Sequence, residues 1–201
     1  MSKGLLFVVS APAGCGKDTI LEQVLAKEDN VGYSVSATTR APRPGEVDGT
    51  HYFFITRQRF EEMIANGEVL EYTEYCGNYY GTPRKGVEAM LAEGRDVVLK
   101  IEIEGAMNIK KLFPDCCLVF ILPPSMRELE RRLRKRGTED EPTIMRRIAQ
   151  AKNELDAAAG YDYFVVNDDL EDAVNDLCAV IRGEKCRRER CLALLDSIKG
   201  E

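Results

Sequence analysis

The chain predicts an α/β fold around a parallel central sheet, and three observations carry that prediction. Short continuous apolar runs recur along the 201 residues, stretches of helical periodicity separate them, and a glycine-rich loop joins the first run to the first helix. The runs at Leu5–Val9, Asp96–Ile103, Cys116–Leu122 and Tyr163–Val166 read as apolar strands, and Leu5–Val9 has the continuous apolar character of a strand buried on both faces.

Taken in order, Leu5–Val9 (LLFVV) reads as the first strand, and Ile20, Val24 and Leu25 return to helical spacing from Thr19 onward. Between them lies SAPAGCGKDT, Ser10–Thr19, which approximates the phosphate-binding pattern GxxxxGK[ST]. In that pattern the glycines let backbone N–H groups turn toward phosphate oxygens, the helix N-terminus adds positive potential, and the lysine reaches the terminal phosphates. Gly14, Gly16 and Lys17 supply those parts, while Ala11 stands at the first glycine and Asp18 at the metal-binding hydroxyl. Thr19 offers a hydroxyl one residue late. Phosphate binding is therefore expected over Ala13, Gly14, Cys15, Gly16, Lys17, Asp18 and Thr19. Asp18 is the candidate Mg²⁺ ligand, since a carboxylate in a first helical turn suits the helix dipole and can bind a hard cation.

Two stretches break the strand-helix rhythm. From about Tyr33 to Arg84, a strand-like Tyr52–Ile55, a short helix around Phe60–Ala65 and a strand-like Val69–Tyr75 suggest a small subdomain. From Leu129 to Asp156, two charged helices flank Gly137 and carry Arg131, Arg132, Arg134, Arg136, Arg146 and Arg147, more arginine than solubility requires. That stretch is expected to form a mobile cover. Helix starts carry local signals: Ser125 with Glu128 and Thr138 with Glu141 fit capping boxes, and Asp168 with Glu171 is a near-equivalent. The last of these opens a helix whose Leu170, Ala173, Val174, Leu177 and Ile181 are expected to face the core.

Composition narrows the class. A net charge of −6 argues against broad electrostatic binding of nucleic acid, although Lys185, Arg187, Arg188 and Arg190 cluster near the C-terminus. That cluster reads as the solvated face of a helix whose apolar stripe is Cys191, Leu192, Leu195 and Ile198. The seven cysteines form no CxxC pair, and no export signal or long apolar span is present, so reduced thiols, a cytoplasmic location and no membrane partner are expected.

The first insertion holds the more specific chemistry. Within SVSATTRAPRPGEVDGTHYFF, Ser34–Phe54, Arg40 and Arg43 stand three apart around the stiffening Pro42, and two fixed guanidinium groups can grip one phosphate. Tyr52, and Tyr80 within GNYYGT, can add phenolic donors to the same anion. Glu71, Ser36 and Thr82 are then left to read a base. Guanine presents N1–H and an exocyclic amine side by side, which one carboxylate matches, and O6, which a hydroxyl matches; adenine presents the reverse at position six.

The combination SxSxTTRxPRxGExxGxxYxF, followed by ExxxxxGNYYGT and RGTExE, resembles the guanylate kinase family in the family's order from about Gly4 to Ile181. The resemblance implies a P-loop kinase three-layer fold with a parallel central sheet, a small GMP-binding insertion and a helical lid. It implies one such domain, with a core of about 1–32, 86–128 and 157–201, an insertion of about 33–85 and a lid of about 129–156. The activity implied is ATP-dependent phosphorylation of GMP, and of dGMP, to the diphosphate by in-line transfer with Mg²⁺, with ATP and GMP as small-molecule substrates and no nucleic-acid or membrane partner. Carried over by position, Arg40, Arg43, Tyr52 and Tyr80 hold the GMP phosphate, and Ser36, Glu71 and Thr82 contact guanine. Glu102, where the family usually has Asp, belongs to the acceptor side or the metal's water shell. Lys17, Arg132, Arg136 and Arg147 are the implied catalytic cations on the ATP side, and Asn167 lies near adenine. A non-catalytic protein-binding module of the same fold and a related kinase of a ribose phosphate are the alternatives. The intact Gly14-Cys15-Gly16-Lys17 loop counts against the first, and the Glu71, Ser36 and Thr82 set against the second.

Overall fold

The computed structural model describes residues 3–75, 77–137 and 140–200, the side chains of Arg136 and Ala193 excepted. In chain order the elements are β1 (Leu6–Ser10), α1 (Lys17–Lys27), β2 (Val31–Tyr33), β3 (Ala37–Thr38), β4 (Phe53–Phe54), α2 (Arg57–Ala65), β5 (Val69–Tyr75), β6 (Asn78–Pro83) and α3 (Arg84–Ala92). They continue with β7 (Asp96–Lys100), α4 (Ile103–Leu112), β8 (Cys117–Leu122), α5 (Met126–Arg136), α6 (Glu141–Ala157), β9 (Tyr163–Val166), α7 (Leu170–Lys185) and α8 (Arg188–Lys199). The chain divides into two compact units, residues 1–10 with 30–118 and residues 11–29 with 119–201.

In the first unit β2, β7 and β1 lie side by side and all run parallel, with Leu6 opposite Val97 and Val31 opposite Asp96. Every residue of β1 is buried, as are the first four of β7, which is why Leu6–Val9 and Val97–Leu99 are continuous apolar runs rather than alternating ones. The buried Asp96 side chain accepts the Leu5 backbone N–H at 2.9 Å, closing the strand's start. Helices α3 and α4 pack on this unit, α3 against β7 and α4 against β1 and β5. A second sheet, in the order β4-β3-β6-β5, forms the insertion. Its β5–β6 hairpin pairs Tyr75 with Asn78, and Gly77 at φ 73° supplies the left-handed residue the tight turn needs. Helix α2 starts at Thr56, whose side chain accepts the Arg59 N–H, and seats the fully buried Phe60 against Tyr79 at 5.1 Å between ring centres.

In the second unit β8 and β9 pair in parallel from Val119 opposite Tyr163 to Leu122 opposite Val166. Helices α1 and α7 pack together, α7 also covers β9, and α5 lies against α6. The α7 stripe is the expected one, with Ala173, Val174, Leu177 and Ile181 buried and Leu170 half-buried at its edge. Glu184 completes that stripe unexpectedly. It is 1% exposed and accepts the Tyr163 hydroxyl at 2.7 Å and Arg190 Nη2 at 3.2 Å, so its charge is buried but paired.

Several local expectations are corrected. The run Asp96–Ile103 is not one strand: β7 ends at Lys100, and Ile103 already begins α4 with Glu102 at its N-cap. The cap of α7 is Asp169 rather than Asp168, and its side chain accepts the N–H groups of both Glu171 and Asp172. Ser125 caps α5 as its sequence predicts. Thr138 lies outside the described residues, and the cap of α6 is Asp140, which accepts the Thr143 N–H at 3.0 Å. The expected C-terminal helix is α8, and Leu192, Leu195 and Ile198 of its apolar stripe are exposed. Strands β2, β3 and β6 carry no long apolar run and had no signal of their own. Among the described residues no helix is long and apolar enough to cross a membrane, and the described cysteines are all free.

Candidate functional site

The residues singled out by sequence form two clusters, one in each unit. In the second unit the loop after β1 turns through Gly14 at φ 91° and Gly16 at φ 79°, two left-handed positions that an L side chain would strain. Gly16 is the N-cap of α1, so Lys17, Asp18 and Thr19 occupy its first turn, where the helix dipole favours an anion. Asp18 and Thr19 are exposed, and Lys17 is half-buried.

The loop is held from behind by Asn167, at the end of β9. Its side-chain amide donates to the Cys15 carbonyl at 2.7 Å, its backbone N–H donates to Leu122 O, and its own carbonyl accepts Arg132 Nη1 at 2.9 Å. A Cβ added at Gly16 would stand 2.5 Å from Asn167 Nδ2, so glycine is required there by close approach as well as by φ. Arg132 also donates to Glu128 Oε1 at 2.7 Å, which fixes the guanidinium on the Asn167 side of α5. Glu128 lies between Arg131 and Arg132, whose hydrogen bonds bring its carboxyl down to about 2. The Cys15 side chain is fully buried, and that burial pushes its thiol up to about 12 against the opposing pull of Arg132 and Lys17. Arg147 is half-buried on α6, and its neighbour Arg146 is exposed, donating to Thr143 Oγ1. Arg136 ends α5, and its side chain lies outside the described residues.

In the first unit Arg40 follows β3. Its guanidinium donates to both oxygens of Glu46, at 2.9 and 2.8 Å, and Glu46 also accepts the Arg43 backbone N–H at 2.6 Å. The Arg40 guanidinium carbon lies 5.6 Å from the centre of the Tyr52 ring, Tyr80 joins Glu46 in raising the Arg40 pKa, and the Tyr52 and Tyr80 rings are 6.1 Å apart. Arg40, Tyr52 and Tyr80 are thus brought together, with the Arg43 side chain exposed at the edge. The Arg40 hydrogen bonds, followed by that from Arg43 N–H, pull Glu46 down to about 2. Sequence reasoning assigned Glu46 no part. The available signal was an acid three residues after Arg43 in the same turn.

Glu71 and Thr82 face each other across β5 and β6. Glu71 is 7% exposed and Thr82 1%, and the Thr82 hydroxyl donates to Glu71 Oε1 at 2.6 Å. Burial raises the Glu71 carboxyl above its ordinary value, Thr82 pulls it down, and the negative Glu102 adds to the rise. A buried carboxyl whose hydrogen-bond partner is a neutral hydroxyl is costly in itself, and that makes Glu71 a candidate binding residue. Ser36 is half-buried just before β3, and Glu102 is exposed at the start of α4. His51 has a structural part, its Nδ1 accepting the Val47 N–H at 2.9 Å within the turn.

The guanylate kinase family model matches residues 3–184. The chain is 54% identical over 190 residues to the guanylate kinase of Carboxydothermus hydrogenoformans, covering 94% of this chain and 93% of that protein. It is 50% identical over 187 residues to the guanylate kinase of Desulfitobacterium hafniense, covering 93% and 94%. Among solved structures, the crystal structure of guanylate kinase from Anaplasma phagocytophilum is similar with a TM-score of 0.78 and 34% identity, covering 96% of this chain and 94% of that one.

Proposed function

This chain belongs to the guanylate kinase family, and we propose that its two clusters take the two nucleotides of one phosphoryl transfer, ATP at the loop before α1 and GMP at the Arg40 and Glu71 cluster. The protein is an ATP:GMP phosphotransferase, converting ATP and GMP to ADP and GDP. The observation that carries the acceptor assignment is the buried Glu71 with Thr82 on one of its oxygens. A carboxylate is the group that matches guanine's paired N–H donors, and Ser36 and Thr82 bring hydroxyls to the same reading. dGMP presents the same base and phosphate and is taken in the same way in this reading.

The acceptor oxygen belongs to a phosphate already anionic at neutral pH, so the protein's task is positioning and charge neutralisation. Arg40, Arg43, Tyr52 and Tyr80 hold the acceptor phosphate. Ala13–Thr19 cradle the donor phosphates, and Lys17 neutralises the terminal ones. Arg132, Arg136 and Arg147, on the helices proposed as a lid over residues 129–156, gather the charge that develops in transfer and help exclude water. Asn167 acts on the ATP side by pinning the loop and Arg132. Glu102 stays with the acceptor side. Residues 33–85 are the GMP-binding insertion in this reading.

The residues fit Mg²⁺ that arrives with the nucleotide. Mg²⁺ prefers one or two carboxylates plus phosphate and water over an all-protein cage. Asp18 offers one exposed carboxylate in the loop's helical turn, and among the described residues no group of three or more His, Cys, Asp or Glu can hold a metal alone. Asp18 is its proposed protein ligand. When bound, Mg²⁺ supplies neutralisation of the phosphate oxygens during transfer. Free thiols among the described cysteines favour a reducing, cytoplasmic setting.

A coupled assay with ATP, Mg²⁺ and each of GMP, AMP, UMP and CMP, following ADP, tests the whole reading. Turnover with GMP well above the others is expected, and no turnover with GMP would sink it.

A further inference from the structure

Gly105 stands in the first turn of α4, a place where its glycine identity has no backbone reason. It is not among the residues with positive φ. A glycine inside a helix weakens it relative to alanine, so the missing side chain itself must matter. A Cβ built at Gly105 would lie 2.7 Å from Glu71 Oε2, 3.3 Å from Glu71 Cδ and 3.4 Å from Ile101 Cδ1. The first of these is closer than a real Cβ approaches. The other Glu71 oxygen is already engaged, 2.6 Å from the Thr82 hydroxyl, and the side chain is buried where α4 packs on β5. The carboxylate therefore has little room to retreat without leaving Thr82.

We propose that Gly105 is a positioning residue for guanine recognition, its bare backbone giving the Glu71 carboxylate the space to sit against α4 with Oε1 on Thr82. This rests on the reading of Glu71 as the group that meets guanine. Gly105 itself touches neither the base nor a phosphate; it acts through Glu71. An alanine there pushes Oε2 aside, turns the carboxylate plane and mismatches guanine's two adjacent donors, while the helix itself gains from the exchange.

The experiment measures kcat and KM for GMP and for IMP, which lacks the exocyclic amine, in the wild type, Gly105→Ala, Glu71→Ala and the double variant, each with a thermal melt. In Gly105→Ala the KM for GMP is expected to rise about 10- to 100-fold, as hydrogen-bond mismatches in specificity sites do. The KM for ATP stays within about twofold, and the preference for GMP over IMP shrinks, a selectivity change that a general loosening of the fold does not give. In the Glu71→Ala background the same Gly105→Ala exchange is expected to have no further effect, because the space it fills is then vacant. A GMP KM near wild type in Gly105→Ala, with Glu71→Ala impaired, overturns the inference and leaves the Glu71 reading standing. An unimpaired Glu71→Ala overturns both. An equal penalty from Gly105→Ala in both backgrounds places its effect elsewhere and overturns the inference too. Should Gly105→Ala fail to fold, a double variant that melts like Glu71→Ala supports the close approach, and one that also fails to fold refutes it.

Discussion

Glu46 holds Arg40 through two hydrogen bonds of 2.9 and 2.8 Å and takes the Arg43 N–H at 2.6 Å, so one carboxylate orients the first arginine and the backbone of the second. The pairing is bidentate and planar, the geometry in which a guanidinium has least freedom. Replacing Glu46 by Gln removes the negative charge and one accepting oxygen, which breaks the bidentate hold on Arg40. The KM for GMP is expected to rise about tenfold with a smaller change in kcat, in line with the loss of a charge-assisted hydrogen bond. Steady-state kinetics at saturating ATP check it, and an unchanged KM would remove Glu46 from the orientation of Arg40.

As the proposed guanine-binding group, Glu71 is expected to link GMP binding to pH. Its carboxyl lies above its ordinary value of 4.5, chiefly through burial. The folded chain therefore keeps that proton to a higher pH than the unfolded chain. The group favours folding below 4.5, and this contribution is lost as pH climbs through the raised value. GMP binding runs the opposite way, since guanine's donors require the carboxylate. Calorimetric affinity for GMP is expected to weaken as pH falls through the raised value of Glu71. In Glu71→Gln that component disappears, and the variant's melting temperature gains on the wild type as pH rises above 4.5. Titration of the GMP phosphate itself is common to both proteins and cancels in the comparison.

Asn167 ties the loop, Arg132 and β8 together, so its removal should be felt at the ATP side alone. Asn167→Ala leaves the Cys15 carbonyl without its donor in a site where Asn167 is 6% exposed. A loss of about 1–3 kcal/mol in stability is expected for the orphaned buried carbonyl. The KM for ATP should rise several-fold while the KM for GMP holds, and equal effects on both would contradict the assignment.

Asp18 bears on the metal. Asp18→Ser restores a hydroxyl at that position, retains GMP phosphorylation and shifts the Mg²⁺ concentration that supports half-maximal rate. An unmoved Mg²⁺ dependence excludes Asp18 from the metal's shell.

Much of the site was legible because its parts are short and local. The strand, glycine loop and helix at Leu6–Lys27 lie within one window, and the Ser125 cap needs only the residues three positions on. Misreadings came where local pattern underdetermines the answer. An apolar Ile101-Glu102-Ile103 continues a strand or starts a helix with equal ease, and α4 takes it.

Sequence by itself determined the chemistry available: a loop able to take phosphates, paired arginines, and acids and hydroxyls suited to a purine. Its register of apolar runs was enough for an α/β fold, because periodicity and side-chain type are properties of neighbouring residues. Tertiary structure decided which acid does what. Glu46 and Glu71 belong to the same insertion, yet one is drawn down to about 2 by an arginine six residues away and the other is raised by burial between strands and α4. Likewise Asn167 meets Cys15 from 152 positions away, and Gly105 meets Glu71 from another element. Burial and pairing depend on which distant segments the fold brings into contact, and no single stretch of sequence holds that information.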